Sequence, residues 1–297
     1  MTKHTTTCAA AAAAAGLNQD RIAQLTEIAR STADLGGAEL MRHYGKVSSI
    51  NNKGPVGDLV TNADLSAEAL ILERLSSLTP EIAVLAEESG PTGEQEGLRW
   101  CVDPLDGTTN FAHGYPFFAT SIGLTWRQQP ILGAIAVPFL RETYWGAPGL
   151  GAHSNDTPIK VSACSSLDEA LLVTGFAYDR QTRLDNNYAE FCWFTHRTHG
   201  VRRGGAAAVD LAFVAAGRQD GYWERGLAPW DLAAGVALVE LAGGVVTGYQ
   251  GGPFTISSGR VLASGPALHP KLVEELSKVR PLSGDCFGAP EITAMGS

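Results

Sequence analysis

Three strand-like runs follow one another with short turns between them: Thr120–Trp126, Ile131–Val137 and Glu142–Trp145. No helical stripe separates them, so they predict an antiparallel meander and exclude strict βαβ alternation. Helical stripes lie on either side. Ile22, Leu25, Ala29 and Leu40 recur at helical spacing between a capping Asn18 and a Gly45 stop, and Leu65, Ala69, Leu72 and Leu75 form a second stripe with Asp64 or Ser66 near its N-cap. Further helices are expected over Asn187–His196, Gly204–Ala216, Trp230–Leu241 and Pro270–Lys278. Strands are expected at Ile82–Leu85, Leu98–Val102, Ala170–Thr174, Gly221–Glu224, Gly244–Thr247 and Val261–Ser264. The fold class is α/β, with helices layered on sheets. A turn-rich seam near Gly149 divides residues 18–281 into two lobes, about 18–150 and 151–281. Residues 1–17, with alanines from Ala9 to Ala15, read as a disordered tail, and residues 282–297 as a flexible one.

The 297 residues carry 22 Lys and Arg against 31 Asp and Glu, a net charge of −9. That sign disfavours a nucleic-acid partner. No apolar run reaches the roughly 18–20 residues of a membrane span, so no membrane partner is expected. Five scattered cysteines with no CxxC argue against a disulfide framework or a thiolate zinc site and fit a reduced, cytoplasmic protein.

The chemistry concentrates in Trp100-Cys-Val-Asp103-Pro-Leu-Asp106-Gly-Thr108-Thr109-Asn110-Phe111. An apolar strand delivers Asp103 to its end, Pro104 interrupts the ladder, and Asp106 returns to the same point. Gly107 permits close backbone approach, and the N–H groups of Gly107, Thr108 and Thr109 can face an anion if a helix starts there. A lone DxxDG is most often a turn with a capping Asp. Here Glu87 also ends an apolar strand and Asp231 opens an apolar helix, and three such acidic ends together suit hard cations such as Mg²⁺. Two ions a few ångströms apart can clamp the attacking and leaving oxygens of a phosphoryl transfer. Asp64 serves either as a helix cap or, through a Thr hydroxyl, as a general base. The DxxD spacing, with Pro inside, disfavours the phospho-aspartyl phosphatases that use DxD.

These motifs resemble the inositol monophosphatase family. Asp103-Pro-Leu-Asp-Gly-Thr-Thr-Asn-Phe111, Trp230-Asp-Leu-Ala-Ala-Gly235, Glu240-Leu-Ala-Gly-Gly244 and Asp58-Leu-Val-Thr61 match in type and order, over roughly Asn18 to Val279. The Arg202–Asp210 and Tyr222–Glu224 segments resemble plant and cyanobacterial members. The resemblance implies a layered α-β-α-β-α sandwich, commonly a homodimer, that hydrolyses myo-inositol 1-phosphate with two to three Mg²⁺ ions and is inhibited by Li⁺. Glu87, Asp103 and the Leu105 carbonyl would hold one ion, Asp103, Asp106 and Asp231 a second, with a weaker third near Glu87. Asp64, Thr108 and Glu87 would serve the attacking water. Gly107, Thr108 and Thr109 would bind phosphate, and Asp106, Ala207, Glu224 and Asp231 would face the polyol. Lys53 matches the loop before the Asp58 motif.

Two residues depart from the family pattern: Ala86 stands where Gly often precedes the Glu pair, and Ala206 where many members carry Ser or Thr. Fructose 1,6-bisphosphate, histidinol phosphate and galactose 1-phosphate remain alternative substrates, and a non-catalytic binding protein the alternative class. His196 and His199 read as a surface pair, and Arg202 and Arg203 as solvated cations or an anion contact.

Overall fold

The computed structural model describes residues 7–46, 50–52, 59–93 and 96–280. Lys53, Asp58, Cys286 and the 282–297 tail lie outside them. In chain order the elements are α1 (Thr7–Ala14), α2 (Gln19–His43), β1 (Ile50–Asn52), β2 (Leu59–Thr61), α3 (Asn62–Leu78), β3 (Ala83–Ala86), β4 (Gly90–Thr92), β5 (Leu98–Asp106) and α4 (Thr108–Ala112). Then come β6 (Ala119–Trp126), β7 (Gln129–Val137), β8 (Glu142–Ala147), β9 (Gly151–Ser154), β10 (Thr157–Pro158), β11 (Leu171–Thr174), α5 (Tyr188–Thr195) and β12 (Gly200–Arg202). The chain continues through α6 (Ala207–Ala215), β13 (Gly221–Arg225), α7 (Pro229–Leu241), β14 (Val245–Thr247), β15 (Arg260–Ser264) and α8 (His269–Lys278).

Among the described residues the strands form an eight-stranded sheet in the order β10-β9-β8-β7-β6-β5-β3-β4, a five-stranded sheet in the order β12-β11-β13-β15-β14, and the hairpin β1-β2. The expected meander is the centre of the large sheet, antiparallel from β5 through β8. Helices α2 and α3 cover one face, while α6 and α7 fill the space between the two sheets. On the far side Phe194 of α5 and Leu272 and Leu276 of α8 pack with Leu172, Trp223 and Leu262 of the small sheet. The result is the α-β-α-β-α sandwich, because each amphipathic layer must bury a face against its neighbour.

The central layer is assembled from small residues. A Cβ at Gly123 would lie 2.6 Å from the Ala233 Cβ, and one at Gly133 2.5 Å from the Ala234 Cα. Helix α7 therefore lies flat on β6 and β7, which brings its N-terminal end over the ends of β3 and β5.

Three expectations change. The alanine tract is helix α1 rather than a disordered tail: Cys8 and Ala12 are buried, and Ala11 and Ala12 join the core shared by α2 and the large sheet. Alanine has the highest helix propensity, and the Glu240 carboxylate receives the Cys8 N–H at 3.3 Å and the Thr7 hydroxyl at the helix start. Glu240→Ala should cost about 1 kcal/mol and speed hydrogen exchange of the α1 amides. Unchanged protection would show that Glu240 does not hold this helix. The seam at Gly149 is not a lobe boundary either, since β9 and β10 extend the large sheet to Pro158. Finally, Leu65 is exposed, and the buried face of α3 is Asp64, Glu68, Ile71 and Leu75. The helix begins at Asn62 with Thr61 as N-cap, and Asp64 completes a capping box.

Candidate active site

The parallel pair β3 and β5 sets the geometry. Ala86 pairs with Val102, and the Glu87 N–H donates to the Val102 carbonyl at 3.1 Å. Strand side chains alternate in direction. Trp100 and Val102 therefore point into the core beneath α2 and α3, while Cys101 points toward α6 and α7. Glu87 and Asp103 follow on this second side, adjacent at the strand ends. The Glu87 charge acts on the buried Asp103 carboxyl, and like charges held this close favour a proton or a cation shared between them.

A register shift between Asp103 and Asp106 carries the chain past Pro104. The Leu105 N–H bonds back to Asp103 Oδ1 at 3.0 Å, and the Thr120 hydroxyl caps the Pro104 carbonyl at 2.9 Å. Asp106 then points at the start of α6, where it accepts the Ala207 and Ala208 N–H groups at 3.0 and 2.8 Å. Gly107, at φ 89°, turns the strand into α4. A Cβ there would meet the Phe117 carbonyl oxygen at 3.0 Å and the Ala206 Cβ at 3.1 Å, so both conformation and space require glycine.

Thr108 stands behind this turn. Its Oγ1 lies 3.1 Å from Asp64 Oδ1 and 3.0 Å from the Leu105 carbonyl, both acceptors for its single proton. Asp64 Oδ2 takes the Thr61 N–H at 2.8 Å and the Thr61 hydroxyl at 2.6 Å. Asp64 thus caps α3 and also accepts from Thr108 within one hydrogen-bond cluster. Asp231 also combines two roles: Oδ2 caps α7 through the Ala228 N–H at 2.7 Å, while the residue lines the cleft.

The cleft holds about 350 Å³. Glu87, Asp103, Leu105, Asp106 and Asp231 line it with Gly107, Thr108 and Thr109 of the α4 start, and so do Ala207, whose N–H bonds Asp106, and Glu224. Among the described residues, those assigned metal, phosphate, water or polyol roles from the sequence all line it except Asp64, which bonds Thr108 from behind, and Arg203 lines it while Arg202 does not. Glu224 is buried, takes the Tyr222 hydroxyl at 2.5 Å, and sits so close to Gly175 that a Cβ there would be 2.1 Å from Oε2. Sequence reasoning missed the Gly226–Ala228 wall and buried Glu68, which takes the Glu88 N–H at 2.9 Å and so steadies the turn after Glu87. The signal for Glu68 was its spacing four residues after Asp64. His196 and His199 are exposed and do not line the cleft.

Burial drives the electrostatics. Burial, then the charges of Glu87, Asp106 and Asp231, push the Asp103 carboxyl well above the carboxylate range. Asp106 is pushed up to about 7, also by burial, against the lowering effect of the three α6 amides. Asp231 rises well above its usual value by burial and by Glu87 and Asp106. Glu224 rises to about 7 through burial, offset in part by Tyr222 and Arg203. Folded pKa values above the unfolded ones mean that stability is greatest at low pH and is lost as pH rises through the folded values. In EDTA the melting temperature should therefore fall by about 5 °C between pH 5 and pH 8. A melting temperature that rises over this window would contradict the assigned burial.

These carboxylates and the Leu105 carbonyl are hard oxygen donors, of the kind that suits Mg²⁺. Their mutual repulsion in a buried wall fits a divalent cation. Among the described residues no three His, Cys, Asp or Glu side chains form a ready-made ligand set. The fit rests on donor chemistry, shared burial and the like charges that Glu87, Asp106 and Asp231 bring to Asp103.

A profile of the inositol monophosphatase family matches residues 21–280. The chain belongs to the inositol monophosphatase family. It is 52% identical over 252 residues to an inositol-1-monophosphatase of Synechocystis, covering 84% of this chain and 88% of that one. A chloroplastic phosphatase of Arabidopsis thaliana, IMPL1, is 42% identical over 86% of this chain and 70% of its own. The solved inositol monophosphatase of an Anabaena (Nostoc) species superposes with a TM-score of 0.80 at 49% identity, covering 87% of this chain and 97% of that one. Membership of this phosphatase family agrees with the expected resemblance and with the five-layer fold. Among the described residues no helix is long and apolar enough to cross a membrane.

Proposed function

We propose that this chain is a Mg²⁺-dependent phosphomonoesterase that hydrolyses myo-inositol 1-phosphate to inositol and phosphate. The observation that carries this reading is the cleft itself. It brings Glu87, Asp103, Asp106 and Asp231 together with the Gly107–Thr109 helix start and Glu224 in one cleft.

The N-terminal end of α4 faces the phosphate, where backbone amides and the helix dipole favour an anion. Asp64 accepts a hydrogen bond from the Thr108 hydroxyl, so a Thr108 lone pair is turned to accept a hydrogen bond from the attacking water and aim it at phosphorus. Asp64 therefore acts through Thr108. Glu87, Asp103, the Leu105 carbonyl, Asp106 and Asp231 would hold Mg²⁺, which would supply polarisation of the phosphoryl oxygens and charge compensation at the leaving oxygen. Glu224 and the Ala207 end of α6 face the polyol, and Glu224 accepts hydrogen bonds from its hydroxyls. Ala206 offers no hydroxyl there, so ring recognition rests on Glu224 and the Gly175–Tyr178 wall. The same reading takes the enzyme to be a cytoplasmic homodimer without nucleic-acid or membrane partners, in keeping with its charge of −9.

Phosphate release from inositol 1-phosphate, histidinol phosphate, galactose 1-phosphate and fructose 1,6-bisphosphate, each with Mg²⁺, with EDTA and with added Li⁺, tests it. Strongest release from inositol 1-phosphate, abolished by EDTA and reduced by Li⁺, is expected. Preference for another ester would move the substrate and keep the chemistry. No release from any ester would overturn the reading.

A further inference from the structure

We propose that Arg225 is a positioning residue that clamps the 175–185 segment over the cleft and so sets the grip on the ring of the substrate. The inference rests on the phosphatase reading above. Strand β13 alternates: Tyr222 and Glu224 face α6 and the cleft, and Trp223 and Arg225 face the opposite side. Arg225 is 6% exposed. Its Nη2 donates to Asp179 Oδ1 at 2.5 Å, and its Nε donates to the Asp185 carbonyl and lies 3.8 Å from Asp185 Oδ1. Arg260, directly opposite Arg225 across β13 and β15, pairs with the other Asp185 oxygen.

Both aspartates belong to one loop, and the first residues of that loop, Gly175, Phe176, Ala177 and Tyr178, line the cleft beside Glu224. The loop is also tied at its ends. Asn187 donates to the Thr174 hydroxyl and the Gly175 carbonyl, both at 2.7 Å, and accepts from the Trp223 indole at 2.6 Å. Ala177 rests on Gly226, where a Cβ would come within 2.5 Å of its own. A buried guanidinium carries a desolvation cost that an apolar residue beside Trp223 would avoid. What it gains is a fixed loop, since a planar fork can hold two carboxylates and a carbonyl at once. The wall it fixes touches, through Gly175, the Glu224 carboxylate that the reading above assigns to the polyol. Its loss should therefore weaken binding of the ring without slowing the chemical step.

The test compares Arg225→Ala, Arg225→Lys and Asp179→Asn with the parent on inositol 1-phosphate and on the smaller acyclic glycerol 2-phosphate. Arg225→Ala should raise KM for inositol 1-phosphate about tenfold with kcat within about twofold, and leave KM for glycerol 2-phosphate unchanged. Arg225→Lys should restore part of the loss, and Asp179→Asn, at a half-exposed position, should show a smaller shift in the same direction. Trypsin cleavage after Arg180 and Arg183, read by mass spectrometry, should speed up severalfold in Arg225→Ala and Asp179→Asn. If Arg225→Ala does not fold, Asp179→Asn decides. Equal KM rises on both substrates, a kcat loss at constant KM, or an unchanged trypsin rate would overturn the clamp. A parent protein inert on both esters would overturn the phosphatase reading instead, and the trypsin rate would still decide the clamp.

Discussion

Asp103→Asn should lower kcat/KM by about 10³-fold or more while leaving the fold intact. The side chain is 2% exposed and faces Glu87, Asp106 and Asp231. Asn keeps the volume and can still accept the Leu105 N–H, which now bonds to Oδ1 at 3.0 Å. It removes one buried negative charge from a crowded wall, so the melting temperature in EDTA at pH 8 should equal or exceed that of the parent. The parent should gain stability when Mg²⁺ is added, because a ligand of the folded state stabilises it by mass action, and the variant should lose most of that gain. Full turnover, or a collapse in melting temperature, would argue against Asp103 as a metal ligand.

Gly133→Val should cost about 3 kcal/mol or more, a drop of at least about 6 °C in melting temperature. Gly133 lies on β7 beneath α7, and a Cβ there would be 2.5 Å from the Ala234 Cα and 2.7 Å from its carbonyl oxygen. These are backbone atoms, so no rotamer change relieves the overlap; the helix must lift. Lifting α7 moves Asp231 away from Glu87 and Asp103, so activity should fall with stability. Gly248→Ala, with nothing within 4 Å of its added Cβ, is the control and should change the melting temperature little. A Gly133 variant as stable as this control would mean that the layers are not packed to backbone contact.

The two outcomes depend on different kinds of information. The acidic ends were legible along the chain because each is local: apolar residues run up to Glu87, Asp103 and Asp231, and Pro104 and Gly107 mark where the chain must turn. The meander was legible because three antiparallel strands, β6 to β8, need only short turns and period-two patterning. The long amphipathic α2 was legible from its stripe and from Asn18, whose side chain accepts the Arg21 N–H at 2.8 Å.

Other features were decided only by packing. Reading α3 by apolar spacing placed Leu65 inside, yet Leu65 is exposed while Asp64 and Glu68 are buried. Hydrophobicity predicts the opposite. It fails because Asp64 finds Thr61 and Thr108, and Glu68 finds the Glu88 N–H, so the cost of burying carboxylates is met by partners far along the chain. The alanine tract carries strong helix propensity, but a helix of eight residues is marginal alone. Its order comes from the core formed with α2 and from Glu240, more than two hundred residues away.

The sequence by itself determined which residues could do chemistry: carboxylates at strand ends, a glycine where the backbone must turn left-handed, and a threonine after it. Only the tertiary structure decided that these ends meet. The parallel pairing of β3 with β5 sets Glu87 beside Asp103. The small residues of α7 let Asp231 descend onto them, and the outward turn of Arg225 ties a distant loop to the same cleft. Pairing and packing join residues by distance in space, and local patterning along a chain carries only distance in sequence.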